Sequence, residues 1–453
     1  MKHEIKLETE TETINIVNPF RGNLIAGSPG SGKTLLLSDI IKKQIQNGFA
    51  ILVYDYKFGE LTKSTYNNYI KYKNTYKVKP EFCMINFDDI EYSNRSNPLA
   101  SNLINDFFDA IELSEIILIG LIKTYMDEEA MELINSPSKN LLAICIWGLK
   151  LKSDEFNKEL CSLPHLIELL GSSFGNIFNF LMSFKDESIK NVLKPFINDL
   201  RELNYDELEM LIAPIRMSIG RITSKNIYYV MTTGENYGKS ISLDVNDSLS
   251  PKILCIGNNP KKQTIYSIID SLYIAKSISI MNMKNKLNSS LILDELNTLH
   301  FPNGLLTNLI ATARANRISV WISIQSFNQF FNTYSEKYAK VIIEIVGNVF
   351  IGKLTGDIPK YLLSLFNNKI TEKNLKELKQ GQFSGKIIDV HSKNKVFNSS
   401  KMKMDNNTKN NLNYPKIFDF KKSGFDKENI LNDNFSNIKK DIKNLIEQYR
   451  HYS

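Results

Sequence analysis

Cysteine and histidine are scarce in this sequence of 453 residues. It has only four cysteines and five histidines, and they are scattered without the paired spacing of metal ligands or disulfide frameworks. We therefore expect reduced thiols and no zinc site, which excludes the small disulfide-rich secreted class. The residues are Cys83, Cys145, Cys161 and Cys255, and His3, His165, His300, His391 and His451.

Long apolar runs are also lacking. A helix that crosses a bilayer needs ~20 apolar residues, whereas the most apolar stretches, Ile116 to Ile122 and Leu141 to Leu149, are much shorter. We interpret both as core helices. The first residues, Met1 to Thr13, are rich in Glu, Thr and Lys and have no apolar centre of a secretory signal. These features predict a cytoplasmic chain without a transmembrane segment.

The sequence has no strong excess of one charge either. Its formal net charge is +7, which permits nucleic-acid binding without indicating it. A hydrophobic content of 42% is enough for a sizeable core, and the length is typical of two domains plus a tail.

Residues 27–34 form a complete phosphate-loop pattern, Gly-x-x-x-x-Gly-Lys-Thr, between an apolar run and a predicted helix. Glycines let backbone N–H groups turn towards phosphates, Lys33 places a positive charge on the β and γ oxygens, and the Thr34 hydroxyl binds Mg²⁺. The helix that follows directs its N-terminus at the same anion. This pattern predicts binding of ATP and Mg²⁺ by Gly27, Ser28, Pro29, Gly30, Ser31, Gly32, Lys33 and Thr34.

An acidic pair indicates what happens to the nucleotide. The apolar run 291–293 ends in Asp294 and Glu295. We expect Asp294 to join Thr34 at the Mg²⁺ ion, and Glu295 to polarise the water that attacks the γ-phosphate. This favours an ATPase over a kinase, and a GTPase base-reading motif is not found. The alternative is an ordinary strand that ends in two exposed acids.

A third apolar strand, 318–324, ends in Gln325, which can sense the γ-phosphate or orient water. Before it, we predict a helix from Leu305 to Arg317. Its spacing to Gln325 favours a catalytic or intersubunit role for Arg314 in a motor-type ATPase. For Arg317, a solvated surface position is an equal alternative.

Two further features remain open between function and structure. Lys57, at the end of the second strand, lies where ligands of open α/β sheets collect, so it could contact nucleotide or DNA or be a solvated strand end. The aromatic residues after Gln325 could stack on bases, but at helical spacing core packing is the more usual role. They are Phe327, Phe330, Phe331 and Tyr334.

The pattern of apolar runs predicts the fold class. Runs typical of strands alternate with helical patterns, which indicates an α/β fold with a mostly parallel sheet in a RecA-like motor core. The stretch from about 101 to 211 has apolar residues at helical spacing and no strand pattern, which predicts an inserted all-α domain. The predicted strands are 24–26, 51–54, 83–86, 253–256, 291–293, 320–324 and 349–351.

In these motifs and their order the sequence resembles the TraG/TraD-type coupling proteins of conjugative type IV secretion, most closely the mobilisation branch of conjugative transposons. The resemblance runs from about Ile14 to about Asp389. The residues that carry it, besides the phosphate loop, are Asn18-Pro19-Phe20-Arg21-Gly22, Val53-Tyr54-Asp55-Tyr56-Lys57, Ile85-Asn86-Phe87-Asp88-Asp89, Ile253-Leu254-Cys255-Ile256-Gly257-Asn258-Asn259-Pro260, Asp294-Glu295-Leu296, Leu309-Ile310-Ala311-Thr312-Ala313-Arg314, Gln325-Ser326-Phe327-Asn328-Gln329 and Val346-Gly347-Asn348.

The resemblance implies a P-loop RecA-like (HerA/FtsK-type) ATPase that pumps single-stranded DNA, with bound relaxase or relaxosome, to type IV secretion channel proteins as a homo-hexamer. It implies a substrate-facing role for the helical insert, with a structural cap on the sheet as the alternative. Family members generally have transmembrane helices before the phosphate loop, so this chain is expected to be the motor portion, peripheral to the inner membrane. The segment after Phe366 is expected to be shortened relative to the family pattern.

The expected divisions are a nucleotide-binding domain in two parts, 14–100 and 213–397, the all-α insert 101–212, and a linker with a helical tail, 398–453. Two alternatives stay open at this point. One is a HerA/FtsK-like DNA translocase of repair, packaging or phage defence, and the other is an ATP-gated adaptor that hydrolyses little.

Overall fold

The computed structural model describes residues 3–125, 137–201, 205–234, 238–356, 358–367, 369–389, 391, 393–403 and 412–449. Its centre is a nine-stranded sheet with the strand order β11-β10-β9-β3-β8-β7-β4-β6-β5, and a separate two-stranded sheet pairs β1 with β2. The strands are β1 Ile5–Glu8, β2 Thr13–Ile16, β3 Gly22–Ala26, β4 Ala50–Asp55, β5 Glu81–Ile85, β6 Lys252–Gly257, β7 Ser289–Leu293, β8 Ile318–Ile324, β9 Asn348–Ile351, β10 Gln382–Ile388 and β11 Asn394–Lys401.

Seven strands of the large sheet, from β9 to β5, run parallel. β3, β4, β6, β7, β8 and β9 are buried along their whole length, which is why they appear in the sequence as continuous apolar runs rather than alternating ones. All seven predicted strands are confirmed with small shifts at their ends: most extend beyond the prediction, and β5 ends at Ile85, one residue before the predicted end.

Two antiparallel elements were not predicted. The hairpin of β1 and β2 alternates buried and exposed residues, and its strands are only four residues long. β10 pairs antiparallel with β9 and with β11, and so extends the sheet at one edge. The predicted linker beginning at Asn398 is therefore wrong for residues 398–401, which belong to β11. Residues 404–411 of that linker, and 450–453 of the predicted tail, lie outside the described residues.

Helices cover both faces of the sheet and fill the interval between β5 and β6. That interval contains α3 to α9, so the predicted all-helical stretch is confirmed where the structure describes it. The helices are α1 Lys33–Gln46, α2 Glu60–Tyr72, α3 Phe107–Tyr125, α4 Pro137–Phe156, α5 Leu163–Leu170, α6 Phe174–Met182, α7 Glu187–Arg201, α8 Tyr205–Gly220, α9 Lys225–Val230, α10 Gln263–Met281, α11 Leu305–Thr312, α12 Phe327–Tyr334, α13 Glu336–Ile345, α14 Lys360–Ser364, α15 Glu372–Glu377 and α16 Lys427–Gln448.

Burial explains where the apolar helical stretches lie. Residues 116–118 of α3 and 141–146 of α4 are almost fully buried, which confirms them as core helices. α5 begins after Ser162, whose side chain accepts a hydrogen bond from the His165 N–H, with a proline in the first turn; both are usual start signals. Within the part of the chain that the structure describes, no helix is long and apolar enough to span a membrane.

The last helix, α16, packs on the helical segment rather than on the sheet. It contacts α5, α6 and α9. Its predicted apolar positions are all buried, which confirms the expected amphipathic helix. They are Ile438, Ile442, Leu445 and Ile446.

Candidate functional site

The register of the parallel strands brings the predicted site segments together. Ala26, the last residue of β3, pairs with Ile324 at the end of β8, and Leu293 at the end of β7 pairs with Ile322. The phosphate loop, the acidic pair and Gln325 each follow one of these strand ends. They therefore lie at one carboxyl edge, where open α/β sheets bind ligands.

The backbone of the phosphate loop turns where glycine permits it. Gly30 has φ 79° and Gly32 has φ 102°, in the left-handed region that other residues adopt only with strain. Lys33 is the first residue of α1, and Gly32 precedes it without a side-chain cap. The free N–H groups of this helix start therefore point to where an anion would bind.

Residues just after β9 and just before β10 hold the loop in place. The Ser28 N–H donates to the Lys353 carbonyl oxygen at 2.8 Å, and the hydroxyls of Ser28 and Thr355 are 2.9 Å apart. On the other side, the Gly381 N–H donates to the Ser31 carbonyl oxygen at 2.9 Å. These contacts come from residues far along the chain, so local sequence patterns do not indicate them.

Lys33 and Glu295 meet inside this site. The Lys33 Nζ lies 3.7 Å from the Glu295 Oε1, and it donates a hydrogen bond of 2.6 Å to the Gly27 carbonyl oxygen. Lys33 is only 6% exposed and Glu295 only 4%. The lysine of the loop and the predicted catalytic acid are therefore in direct electrostatic contact, shielded from water.

Ser323 holds both residues of the acidic pair. Its hydroxyl donates to the Asp294 Oδ1 at 2.9 Å and accepts from the Glu295 N–H at 3.2 Å. Glu295 has φ 56° and ψ 61°, a left-handed conformation that costs about 1–3 kcal/mol in a residue with a side chain. Ser323 was not among the predicted site residues. The sequence signal that could have indicated it is a serine near the end of a buried strand.

Burial shifts the ionisation of these groups in opposite senses. It lowers the pKa of Lys33 more than the nearby Glu295 and Asp294 raise it. Burial, and then the charge of Asp294, raise the pKa of Glu295 to about 7. Burial also raises the pKa of Asp294, against the hydrogen bond from Ser323. A base near neutral pH is what water activation requires.

Gln325 and Lys57 complete the edge of the site. Burial raises the pKa of Glu295, and the neighbouring Gln325 side chain opposes this. Lys57 is exposed, and its positive charge acts on Lys33, Asp294 and Glu295. Lys57 is therefore part of the electrostatic surroundings of the site as well as a solvated strand end.

Arg314 and Arg317 lie elsewhere. The predicted helix from 305 to 317 is too long, because α11 ends at Thr312 and Arg317 has φ 55°. Both arginines are exposed and precede β8, a strand of seven residues and so about 20 Å long. Burial, and then the charge of Arg314, lower the pKa of Arg21, which places Arg314 near the start of β3. Both arginines are therefore at the opposite edge of the sheet from their own phosphate loop.

The aromatic residues of α12 are mostly core. Phe327, Phe330 and Tyr334 are no more than 2% exposed, and Phe331 is partly buried and packs against the core. The alternative that these three buried rings stack on bases is therefore wrong, because protein covers them.

The residues present fit a nucleotide with Mg²⁺. The Ser31 hydroxyl is buried and has no hydrogen-bond partner among the described residues, and a Cβ at Gly27 would lie 2.6 Å from it. A side chain at position 27 would therefore crowd the loop, whose amides, with Lys33, are the usual donors to a phosphate group. Thr34 and Asp294 follow β3 and β7 at the same edge, and a loop hydroxyl with one carboxylate is the set that holds Mg²⁺ in P-loop NTPases.

One protein-family model matches part of the chain. Residues 288–405 match the family described as the TraM recognition site of TraD and TraG. This segment contains the acidic pair and Gln325. No characterised protein sequence gives a significant match to the chain.

Solved structures share the fold over most of the chain. The plasmid coupling protein TrwB in complex with ADP and Mg²⁺ has a TM-score of 0.60 at 14% identity, covering 88% of both chains. TrwB with the non-hydrolysable ATP analogue ADPNP has a TM-score of 0.60 at 13% identity, covering 86% of this chain and 87% of that one. VirB4 of Thermoanaerobacter pseudethanolicus has a TM-score of 0.50 at 11% identity, covering 87% and 95%.

These similarities confirm the predicted fold class, an α/β P-loop RecA-like core with an inserted all-α domain. With the match over 288–405, they also confirm the resemblance to TraG/TraD-type coupling proteins.

Proposed function

We propose that this chain is a P-loop ATPase of the TraG/TraD coupling type. In this proposal it uses Mg-ATP hydrolysis to recruit and pump single-stranded DNA, with bound relaxase, to a type IV secretion channel. The observation that carries the proposal is the buried contact of Lys33 with Glu295, 3.7 Å from Nζ to Oε1. This pair lies beside Asp294 at the carboxyl edge of a RecA-like sheet.

Each group has a distinct role in the proposal. Mg²⁺ bound with ATP would neutralise charge that develops on the phosphates. The loop amides and Lys33 bind the β and γ phosphates, and Thr34 with Asp294 holds the metal. Glu295 takes a proton from the attacking water, and Gln325, whose side chain neighbours Glu295, keeps its carboxylate oriented.

The proposed partners follow from the comparisons. The matched family is described as a TraM recognition site, and TrwB is described as a plasmid coupling protein. We propose that the segment 101–212 is a separate domain facing the relaxosome or DNA, between core segments 14–100 and 213–397 and before the tail 398–453. We further propose a homo-hexamer on the cytoplasmic side of the inner membrane.

DNA stimulation of ATP hydrolysis tests the proposal. A motor that steps along any backbone takes its affinity from phosphate contacts, so binding should depend little on sequence and fall steeply with salt. We expect single-stranded DNA to raise the ATPase rate at low salt. No stimulation by single- or double-stranded DNA would favour the ATP-gated adaptor. Stimulation by double-stranded DNA alone would favour the HerA/FtsK-like translocase.

A further inference from the structure

A group of buried polar side chains lies behind Glu295, away from the phosphate loop. Its members come from β4, the end of β6, α10 and the turn after Glu295, and none is more than 3% exposed. Buried polar groups are stabilising only when they are hydrogen-bonded. The four residues are Tyr54, Asn258, Asp270 and Thr298.

The hydrogen bonds among them run in one direction. The Thr298 hydroxyl donates to the Glu295 carbonyl oxygen at 2.7 Å. A hydroxyl has one hydrogen, so Thr298 must accept in its 2.8 Å contact with the Tyr54 hydroxyl. Tyr54 therefore donates to Thr298, and it accepts from the Asn258 Nδ2 at 3.0 Å.

The Asp270 side chain neighbours that of Asn258, and a hydrogen bond between them would extend this series by one residue. Among the described residues, no group donates to either of its carboxyl oxygens, and the Asn258 Oδ1 is likewise without a donor. Burial raises the pKa of Asp270 well above its ordinary value, and the neighbouring Asn258 side chain only partly opposes this. A protonated Asp270 has an O–H that can donate to the Asn258 Oδ1. An ionised carboxylate could only accept.

We propose that Asp270, Asn258, Tyr54 and Thr298 form a one-way hydrogen-bond chain that positions Glu295 for catalysis. Thr298 fixes the Glu295 carbonyl, and Ser323 fixes the Glu295 N–H, so the two peptide groups that flank the Glu295 Cα are both held. This hydrogen-bond chain thus maintains the left-handed backbone of Glu295, φ 56°, from which the Glu295 carboxylate reaches Lys33. The inference deepens the proposed function, since it rests on Glu295 being the hydrolytic base.

A purely local explanation accounts for only one of these bonds. A threonine that donates to the carbonyl three residues earlier is a common feature of helical turns. Such a turn needs no tyrosine from β4, and no asparagine or aspartate from β6 and α10. α10, which carries Asp270, also packs against α3, the first helix of the helical segment. Asp270 therefore links the turn after Glu295 to that segment.

Thr298→Val and Thr298→Ser are the central test. Valine keeps the shape of the side chain and removes its hydroxyl donor. Serine keeps the hydroxyl. We expect Thr298→Val to lower kcat by about 10-fold to 10²-fold, as a small misplacement of a catalytic group does, with nucleotide affinity unchanged. Thr298→Ser should restore kcat. The matched control is Thr65→Val, because the buried Thr65 hydroxyl donates to the Leu61 carbonyl in α2, away from this turn.

Hydrogen exchange gives a readout that does not need hydrolysis. In the nucleotide-free protein, backbone amides of residues 294–299 should exchange faster in Thr298→Val and Tyr54→Phe than in the wild type or Thr65→Val. If the wild-type protein did not hydrolyse ATP, the proposed function would fail. Hydrogen exchange alone would still decide whether the hydrogen-bond chain holds this turn. Unchanged exchange, or unchanged kcat in an active enzyme, would overturn the proposal.

Asp270 tests the direction of the chain. Asp270→Asn keeps a neutral donor and should behave as the wild type in both measurements, whereas Asp270→Leu should resemble Thr298→Val. If Asp270→Asn were as slow as Asp270→Leu, the aspartate would act as a carboxylate and the one-way chain would be wrong.

Discussion

Lys33 and Glu295 neutralise each other across 3.7 Å in a site where both are nearly inaccessible to water. Burial acts against the charged form of each, yet each charge favours the other. A phosphate group bound in the loop competes with Glu295 for the same ammonium. Binding of nucleotide would therefore release the carboxylate from the lysine and make it available to water.

Lys33→Ala should abolish detectable turnover and weaken nucleotide binding by about 10²-fold or more, because it removes one partner of a desolvated charge contact. Isothermal titration with ADP and with a non-hydrolysable ATP analogue measures the affinity. The control is Lys71→Ala in the last turn of α2, since an exposed charge contributes at most about 1 kcal/mol. Equal losses in the two variants would contradict a special role for Lys33.

Glu295→Gln should keep ATP bound while losing hydrolysis by about 10²–10⁴-fold, because only the proton acceptor is removed. Single-turnover hydrolysis and nucleotide affinity measured on the same preparation separate the two effects. Glu60→Gln is the matched control, because Glu60 is an exposed acid whose charge acts on Asp294 from a distance. Normal turnover in Glu295→Gln would remove its assignment as the base.

The sequence predicts local features well and distant contacts poorly. Buried strands such as β8 and the glycine turn at 30–32 have patterns that are readable in a few residues. Whether the helix before β8 stops at Thr312 or at Arg317 depends on the left-handed Arg317, which composition does not indicate. The contacts of Ser28 with Lys353 and Thr355 join residues more than 300 positions apart, so only the folded sheet brings them together.

Asp55 should make stability depend on pH. Its Oδ2 accepts from the Gly59 N–H, the Thr62 N–H and the Thr62 hydroxyl, but burial outweighs these bonds and raises its pKa to about 7. The folded state then holds a proton that the unfolded state releases above about pH 4. Its stabilising contribution is therefore full below that pH and is lost as pH rises through 7.

The comparison variant for this effect is Asp55→Asn, which cannot titrate. The Tm of the wild type minus that of Asp55→Asn should fall between pH 5 and pH 8, by an amount equivalent to a few kcal/mol. Calorimetry at several pH values measures it. A difference that stays constant, or rises with pH, would contradict the raised pKa.

Ile442→Ala should destabilise the protein by about 2–5 kcal/mol, because it leaves a cavity where α16 packs on α5 and α6. Ile442 is 2% exposed, and its neighbour Lys443 is exposed, so Lys443→Ala is the matched control. Urea unfolding gives both free energies. Similar values for the two variants would mean that α16 is not firmly packed on the helical segment.

Arg314 should act on a neighbouring subunit. It lies at the opposite sheet edge from its own phosphate loop, about one strand length away, so it cannot reach the nucleotide of its own chain. An arginine supplied in trans can contribute ~10³–10⁵ in rate, so Arg314→Ala should lose most turnover while keeping nucleotide affinity. Specific activity of the wild type should rise with protein concentration, because the complete site forms only on assembly.

Mixing inactive variants tests this directly. Arg314→Ala has an intact phosphate loop and Lys33→Ala an intact arginine, so an interface between the two variants recreates one complete site. Activity should therefore appear in the mixture and be absent from each variant alone. Arg317→Ala in the same mixture identifies which arginine is needed. A rate independent of concentration, with no recovery in either mixture, would mean that these arginines stabilise their own subunit rather than the reaction in the next.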